Sequence, residues 1–180
     1  MRLGGLLNKP HYIMKKVNWL GNGIALLLFI AVPLAIGFTG SFLTADQVDG
    51  WYASADQAPW TPPNTVFGPV WTLLYMMIGV AGWLLWRSTV THQRRRAFIL
   101  YGIQLVLNAV WSPLFFGAYP TYGVAGLWVA LVVIYLLLLT VMTSIKVFAS
   151  VSKIAAGLFV PYGLWVAYAS TLNLYMALHN

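Results

Sequence analysis

The chemistry that this chain's residues offer is ring stacking and neutral hydrogen bonding. From Trp51 to Tyr75 the sequence WYASADQAPWTPPNTVFGPVWTLLY sets three Trp, two Tyr and four Pro within 25 residues. Aromatic faces stack on flat partners, and proline fixes the backbone that carries them. Trp71 and Tyr75, at i and i+4, share one helical face. Further on, Gln104, Asn108, Ser112 and Phe115 recur at helical spacing, with Trp111 beside them. Tyr162, Trp165, Ala169 and Asn173 form a third such face. A flat, largely apolar ligand is the guest these groups suit: aromatic walls with a few neutral polar anchors.

Other chemistries lack their residues. There is no cysteine, which excludes disulfides and thiolate metal sites. Paired carboxylates, a His-paired nucleophile and a metal-ligand cluster are absent. No cofactor is required on this reading.

The elements that must position these groups are membrane spans. The chain has 180 residues, of which 61% are hydrophobic and 7% charged, against about a quarter charged in a soluble domain. A hydrocarbon core takes about 20 apolar helical residues. Five segments qualify: roughly 19–42, 66–86, 97–116, 123–145 and 154–178. The expected fold class is an all-α membrane protein, a bundle of five transmembrane helices. The first apolar run exceeds a cleavable signal core, so it is expected to be a retained helix. Residues 1–18 form a basic tail, either lying on the inner membrane surface or disordered.

Loop charge sets orientation. Arg2, Lys9, Lys15 and Lys16 precede span one. Arg87 and Arg94–Arg96 lie between spans two and three, and Lys146 and Lys153 between four and five. The other side carries Asp46, Asp49 and Asp56 and no cation. This split predicts the N-terminus inside and the C-terminus outside, in a multi-pass protein of a bacterial inner membrane. The net charge of +7 is therefore a topology signal and a lipid contact, not a nucleic-acid surface. No Asp, Glu, Lys, Arg or His falls within a span, which argues against a proton- or ion-coupled carrier.

The first outer loop, 43–65, is the longest connection. Thr44-Ala-Asp-Gln47 reads as a capping box that starts a short helix over 46–53. Ala58-Pro59-Trp60 and Thr61-Pro62-Pro63 are expected to be extended. Pro69 should fall in the first turn of span two. Pro113 should loosen the outer half of span three. Trp19, Trp83, Trp86 and Trp128 suit a membrane-interface belt, whereas Trp51, Trp60, Trp71 and Trp165 are pocket candidates. For the Gln104–Asn108–Ser112 stripe, interhelical hydrogen bonding and a ligand contact from Asn108 are both open.

These motifs resemble the TspO/MBR family, the tryptophan-rich sensory proteins and translocator proteins. The resemblance rests on Trp51-Tyr52, Pro59-Trp60-x-Pro62-Pro63 and Phe67-Gly-Pro-Val-Trp71-x-x-x-Tyr75. It continues through Asn108-x-x-Trp111-x-Pro113-x-Phe115-Phe116-Gly117 and Pro161-Tyr162-x-x-Trp165-x-x-x-Ala169-x-x-Leu172-Asn173. It implies a five-helix bundle, often a homodimer, with a pocket between the helices under the first loop. The implied ligands are porphyrins such as protoporphyrin IX, haem-like tetrapyrroles and, in some members, cholesterol. The matching positions here are Tyr52, Pro62, Phe67, Trp71, Asn108, Trp111, Ser112, Trp165, Ala169 and Leu172. The residues add Trp60 and Asn173 as candidates. Trp51 and Trp165 match two tryptophans that the family implicates in light-dependent porphyrin breakdown. No Lys or Arg follows Leu172-Asn173-Leu174-Tyr175, which argues against cholesterol.

The leading expectation is a membrane receptor or carrier for porphyrins, serving tetrapyrrole sensing, transport or oxidative-stress regulation. Trp-assisted photo-oxidation of bound porphyrin is the enzymatic alternative. A membrane adaptor that docks a partner protein on Arg94–Arg96 is a further one.

Overall fold

The computed structural model describes residues 19–90 and 92–180; the expectations for the tail 1–18 lie outside the described residues. The architecture is all-helical among them. Helices run α1 (Trp19–Gln47), α2 (Asn64–Arg87), α3 (Arg94–Ser112), α4 (Tyr119–Tyr122), α5 (Val124–Ala149) and α6 (Lys153–His179). Five of these segments are long and apolar enough to cross a membrane; α4 is a single turn between α3 and α5.

Apolar length makes these helices, because lipid offers backbone groups no partner and each span must close its own bonds. Their ends are set locally. Ser152 caps α6, its hydroxyl accepting from the Ala155 N–H at 3.3 Å. Gly123 turns the chain into α5 at φ 56°, a conformation that glycine alone takes cheaply.

The first span differs from expectation. It does not stop near Phe42; α1 continues to Gln47 and on through a π-helical turn, Val48–Tyr52. Thr44 caps nothing: its hydroxyl donates back to the Gly40 carbonyl at 2.8 Å within the continuing helix. Nothing from Gly40 to Asp49 forces an end, and the break comes at Gly50, which leaves helical space at φ −92°, ψ −111°. Residues 46–53 are thus largely the tail of α1. The outer connection is correspondingly short. Ala58–Thr61 is a turn, with Thr61 N–H donating to the Ala58 carbonyl at 2.8 Å and Pro59 at its second position, rather than an extended run. Pro63 is extended at ψ 143° and leads into α2. That helix starts two residues earlier than expected, so Pro69 sits beyond its first turn. Pro113 opens a π-helical turn, Pro113–Gly117, at the end of α3.

α5 packs along α6 and α3, α2 bridges α1 and α6, and α1 lies at the edge. Ile78, Leu85, Leu127, Ile134, Phe148 and Phe159 are fully buried between them. Lipid tails are as apolar as these side chains, so close fit holds the bundle more than burial does. Gly79 and Gly82 supply that fit within the chain. A Cβ on Gly79 would stand 2.6 Å from the Ile30 Cα, and one on Gly82 2.6 Å from the Tyr101 ring.

Contacts between connections define the two ends. At one, Ser88 Oγ donates to the Val151 carbonyl at 3.2 Å, near Arg87, Arg94–Arg96, Lys146 and Lys153. At the other, Asn180 exchanges two hydrogen bonds with the Asp56 backbone, at 2.9 and 3.1 Å.

Candidate functional site

Between the latter halves of α1 and α3 and the beginning of α2 lies a cavity of about 590 Å³, closed on one side by Ala169 and Leu172 of α6. Its aromatic wall comes from two helices. Trp71 stacks on Tyr75 at 5.4 Å and lies 6.1 Å from Trp111. Trp111 in turn stacks on Phe115 at 5.3 Å and 13°. Spacing explains this: Trp71 and Tyr75, like Trp111 and Phe115, are four residues apart and fall on one face of their helices.

The polar anchor is a directed chain of hydrogen bonds. Tyr75 Oη donates to Asn108 Oδ1 at 2.7 Å, Asn108 Nδ2 donates to Tyr162 Oη at 2.9 Å, and Tyr162 Oη donates to Gln104 Oε1 at 3.0 Å. All four residues are buried. Each hydroxyl hydrogen is committed along the chain. Tyr75 Oη is therefore left with acceptor capacity only, and Asn108 keeps its second amide hydrogen. The two readings of the stripe are compatible: Asn108 ties three helices together and also lines the cavity.

Of the positions picked out in the sequence, Tyr52, Phe67, Trp71, Asn108, Trp111, Ser112, Ala169 and Leu172 line the cavity. Five others lie off it. Trp51 is held at the rim: its indole N–H donates to the Phe116 carbonyl at 2.6 Å and its ring stacks on Tyr119 at 4.3 Å. Trp165 stands one ring behind the wall, edge-on to Phe67 at 5.9 Å and to Trp71 at 6.4 Å. Trp60 clamps the outer connection to α6. Its N–H donates to Thr171 Oγ1 at 3.1 Å, and its carbonyl accepts from Tyr168 Oη at 2.7 Å. Pro62 follows in that strap, half-buried. Asn173 is buried in the packing, donating to the Leu127 carbonyl at 3.0 Å and accepting from the Trp111 indole at 3.2 Å. It orients the aromatic wall rather than facing the cavity.

One wall comes from a helix whose role the sequence reading missed. Gly37, Gly40, Ser41, Thr44 and Ala45 of α1, and Val48 and Asp49 of the π-helical turn that continues it, all line the cavity. Their signal is a stripe of mostly small residues at helical spacing, which hollows that face. Tyr75 packs directly against Gly37, where a side chain would displace its ring. Trp83, a belt candidate, is partly buried and donates its N–H to the Asn22 carbonyl at 3.2 Å, with Arg87 over its ring at 4.6 Å.

The family model for the TspO/MBR family matches residues 29–179. The chain belongs to the TspO/MBR family. Two "Tryptophan-rich protein TspO" relatives agree. That of Archaeoglobus fulgidus is 39% identical over 160 residues, which are 88% of this chain and 99% of the relative. That of Chlorobaculum tepidum is 38% identical over 151 residues, 83% of this chain and 92% of the relative. The "Translocator protein" of Homo sapiens is 37% identical over 150 residues, 77% of this chain and 85% of the relative. Those matches place this chain among multi-pass membrane proteins of the TspO/MBR family, and its cavity lies inside the matched region.

Proposed function

We propose that this chain is a membrane receptor or carrier that binds a flat tetrapyrrole, protoporphyrin IX or a haem-like ring, in the cavity between α1, α2 and α3. One observation carries the reading. A cavity of about 590 Å³ places the Trp71–Trp111–Phe115 wall beside the Tyr75–Asn108 pair. That volume lies within the about 300–1,000 Å³ usual for sites that bury small molecules. The wall supplies stacking surface, and Tyr75 and Asn108 supply neutral polar groups among the lining residues. Membership of a family that includes tryptophan-rich sensory and translocator proteins supports the same reading. The cavity sits toward the end that the charge distribution assigns to the outside, and the membrane is a bacterial inner membrane on this view.

The test is a tryptophan-fluorescence titration of purified protein with protoporphyrin IX, haem and cholesterol. Saturable quenching by the tetrapyrroles and none by cholesterol is expected. Trp71→Ala should weaken tetrapyrrole binding about ten-fold, the loss of a stacked ring worth about 1.4 kcal/mol. Unchanged affinity in Trp71→Ala and Asn108→Ala would sink the assignment. Flux of porphyrin into proteoliposomes separates carrier from receptor.

A further inference from the structure

Among the residues lining the cavity, Asp49 carries the one formal charge; no Lys, Arg or His is among them. Asp49 stands on the π-helical turn that ends α1, next to the Gly50 kink, and is exposed. Among the described residues its carboxylate has no hydrogen bond or ion pair. It follows Val48, Ala45 and Thr44 along the hollowed face of α1, so it is the outermost member of one wall.

Among the described residues nothing nearby offsets this charge. Arg87 closes the far end of the 24-residue α2. At 1.5 Å per residue that helix is about 36 Å long. Such a distance is several Debye lengths at physiological ionic strength. Asp46 lies one turn before Asp49 and Asp56 lies in the outer connection, both exposed and of the same sign. His179 is stacked on Tyr175 at 3.9 Å, on α6 and outside the cavity lining. The end of α1 and the start of α2 meet at this level. Their partial charges, about −0.5 and +0.5, largely cancel. The full charge on Asp49 remains.

We infer that Asp49 sets the charge preference of the cavity: it favours flat rings whose edge at the mouth is neutral or cationic, and it disfavours free carboxylates there. This rests on the porphyrin reading and sharpens it. A dicarboxylic porphyrin must turn its propionates away from α1 or bind with them close to a like charge. An ester or an ammonium on the same ring does not meet that cost. For a partly exposed carboxylate the expected discrimination is about three- to ten-fold per facing charge, decreasing with added salt.

The experiment is a titration cycle by tryptophan quenching, in one detergent. The probes are protoporphyrin IX, its neutral dimethyl ester, and the same ring with both propionates converted to ammonium-bearing amides. The proteins are the wild type, Asp49→Asn and, as a control for general surface charge, Asp46→Asn. Comparing the ratio of cationic-ring to diacid affinity between proteins cancels differences in how the probes partition into micelles. In the wild type the cationic ring should bind tighter than the diacid. Asp49→Asn should shrink that ratio by about three- to ten-fold, and added salt should shrink it in the wild type and in Asp46→Asn but not in Asp49→Asn. Asp46→Asn should shift it by less than about two-fold. An unchanged ratio in Asp49→Asn, or equal shifts in both variants, overturns the role of Asp49 while leaving porphyrin binding intact. Absence of saturable quenching by any of the three rings overturns both.

Discussion

Asn108 has two jobs that its neighbours allow to be separated. It accepts from Tyr75 and donates to Tyr162, and it also lines the cavity; Tyr162 shares the hydrogen bonds but does not line the cavity. Tyr162→Phe deletes a donor to Gln104 and an acceptor for Asn108, at a cost of about 0.6–2 kcal/mol in a membrane bundle. It should lower the thermal midpoint by a few degrees while changing tetrapyrrole affinity less than about two-fold. Asn108→Ala should lower both, because it also removes the amide that faces the ligand. A thermal melt and a quenching titration on the two variants check this; equal losses of affinity in both would show that the chain of hydrogen bonds, not the Asn108 amide, governs binding. Asn108, Trp71 and Trp111 were legible as cavity-lining residues because a polar group inside a span must face protein and the two tryptophans belong to helical faces that carry polar partners. Asn173, in a span, and Trp60, in the outer connection, also read as candidates but spend their hydrogen bonds on Leu127 and Thr171. A residue's type shows that a partner is needed, not whether that partner is a ligand or another part of the chain.

At the scale of elements, glycine shows why the α1 wall was not legible. Small residues in a membrane helix mark either close packing or a hollow, and only the facing element decides which. Gly79 of α2 is used for packing: a Cβ there would meet the Ile30 Cα at 2.6 Å and the Phe29 carbonyl oxygen at 2.7 Å. Gly40 of α1 borders the cavity, where a Cβ would meet only Ser112, at 3.5 Å or beyond. Backbone cannot yield as a side-chain tip does, so Gly79→Ala must push α1 off α2. It should cost about 1–3 kcal/mol and widen the cavity mouth. Gly102 in α3 has nothing within 4 Å of its would-be Cβ. Gly102→Ala should be neutral or stabilise by up to about 1 kcal/mol, since alanine is the better helix former. Thermal melts of the two variants in the same detergent check the contrast, and a larger loss in Gly102→Ala would contradict the α1–α2 contact. Helix ends were misjudged for a related reason. Gly40–Asp49 is polar enough to resemble a loop, yet no residue in it stops a helix until Gly50 does.

At the scale of the whole molecule, fold class was legible because five apolar runs of span length leave a 180-residue chain few arrangements. An orientation is expected from how the folded bundle sorts its charges. The described cations, Arg87, Arg94–Arg96, Lys146 and Lys153, collect at the end where Ser88 meets Val151. Asp46, Asp49 and Asp56 lie toward the end where Asp56 meets Asn180, the end nearer which the cavity lies. Short basic connections resist translocation, so the cationic end should face the cytoplasm and the cavity the opposite side. The chain itself makes this testable, because it has no cysteine and any introduced thiol is the only one. Ser54 beyond the α1 turn and Ser150 between α5 and α6 are both exposed. In intact cells whose outer layers admit the reagent, a membrane-impermeant maleimide should label Ser54→Cys and spare Ser150→Cys. Permeabilising the inner membrane should then label both. Labelling of Ser150→Cys before permeabilisation would invert the molecule and turn the cavity toward the cytoplasm.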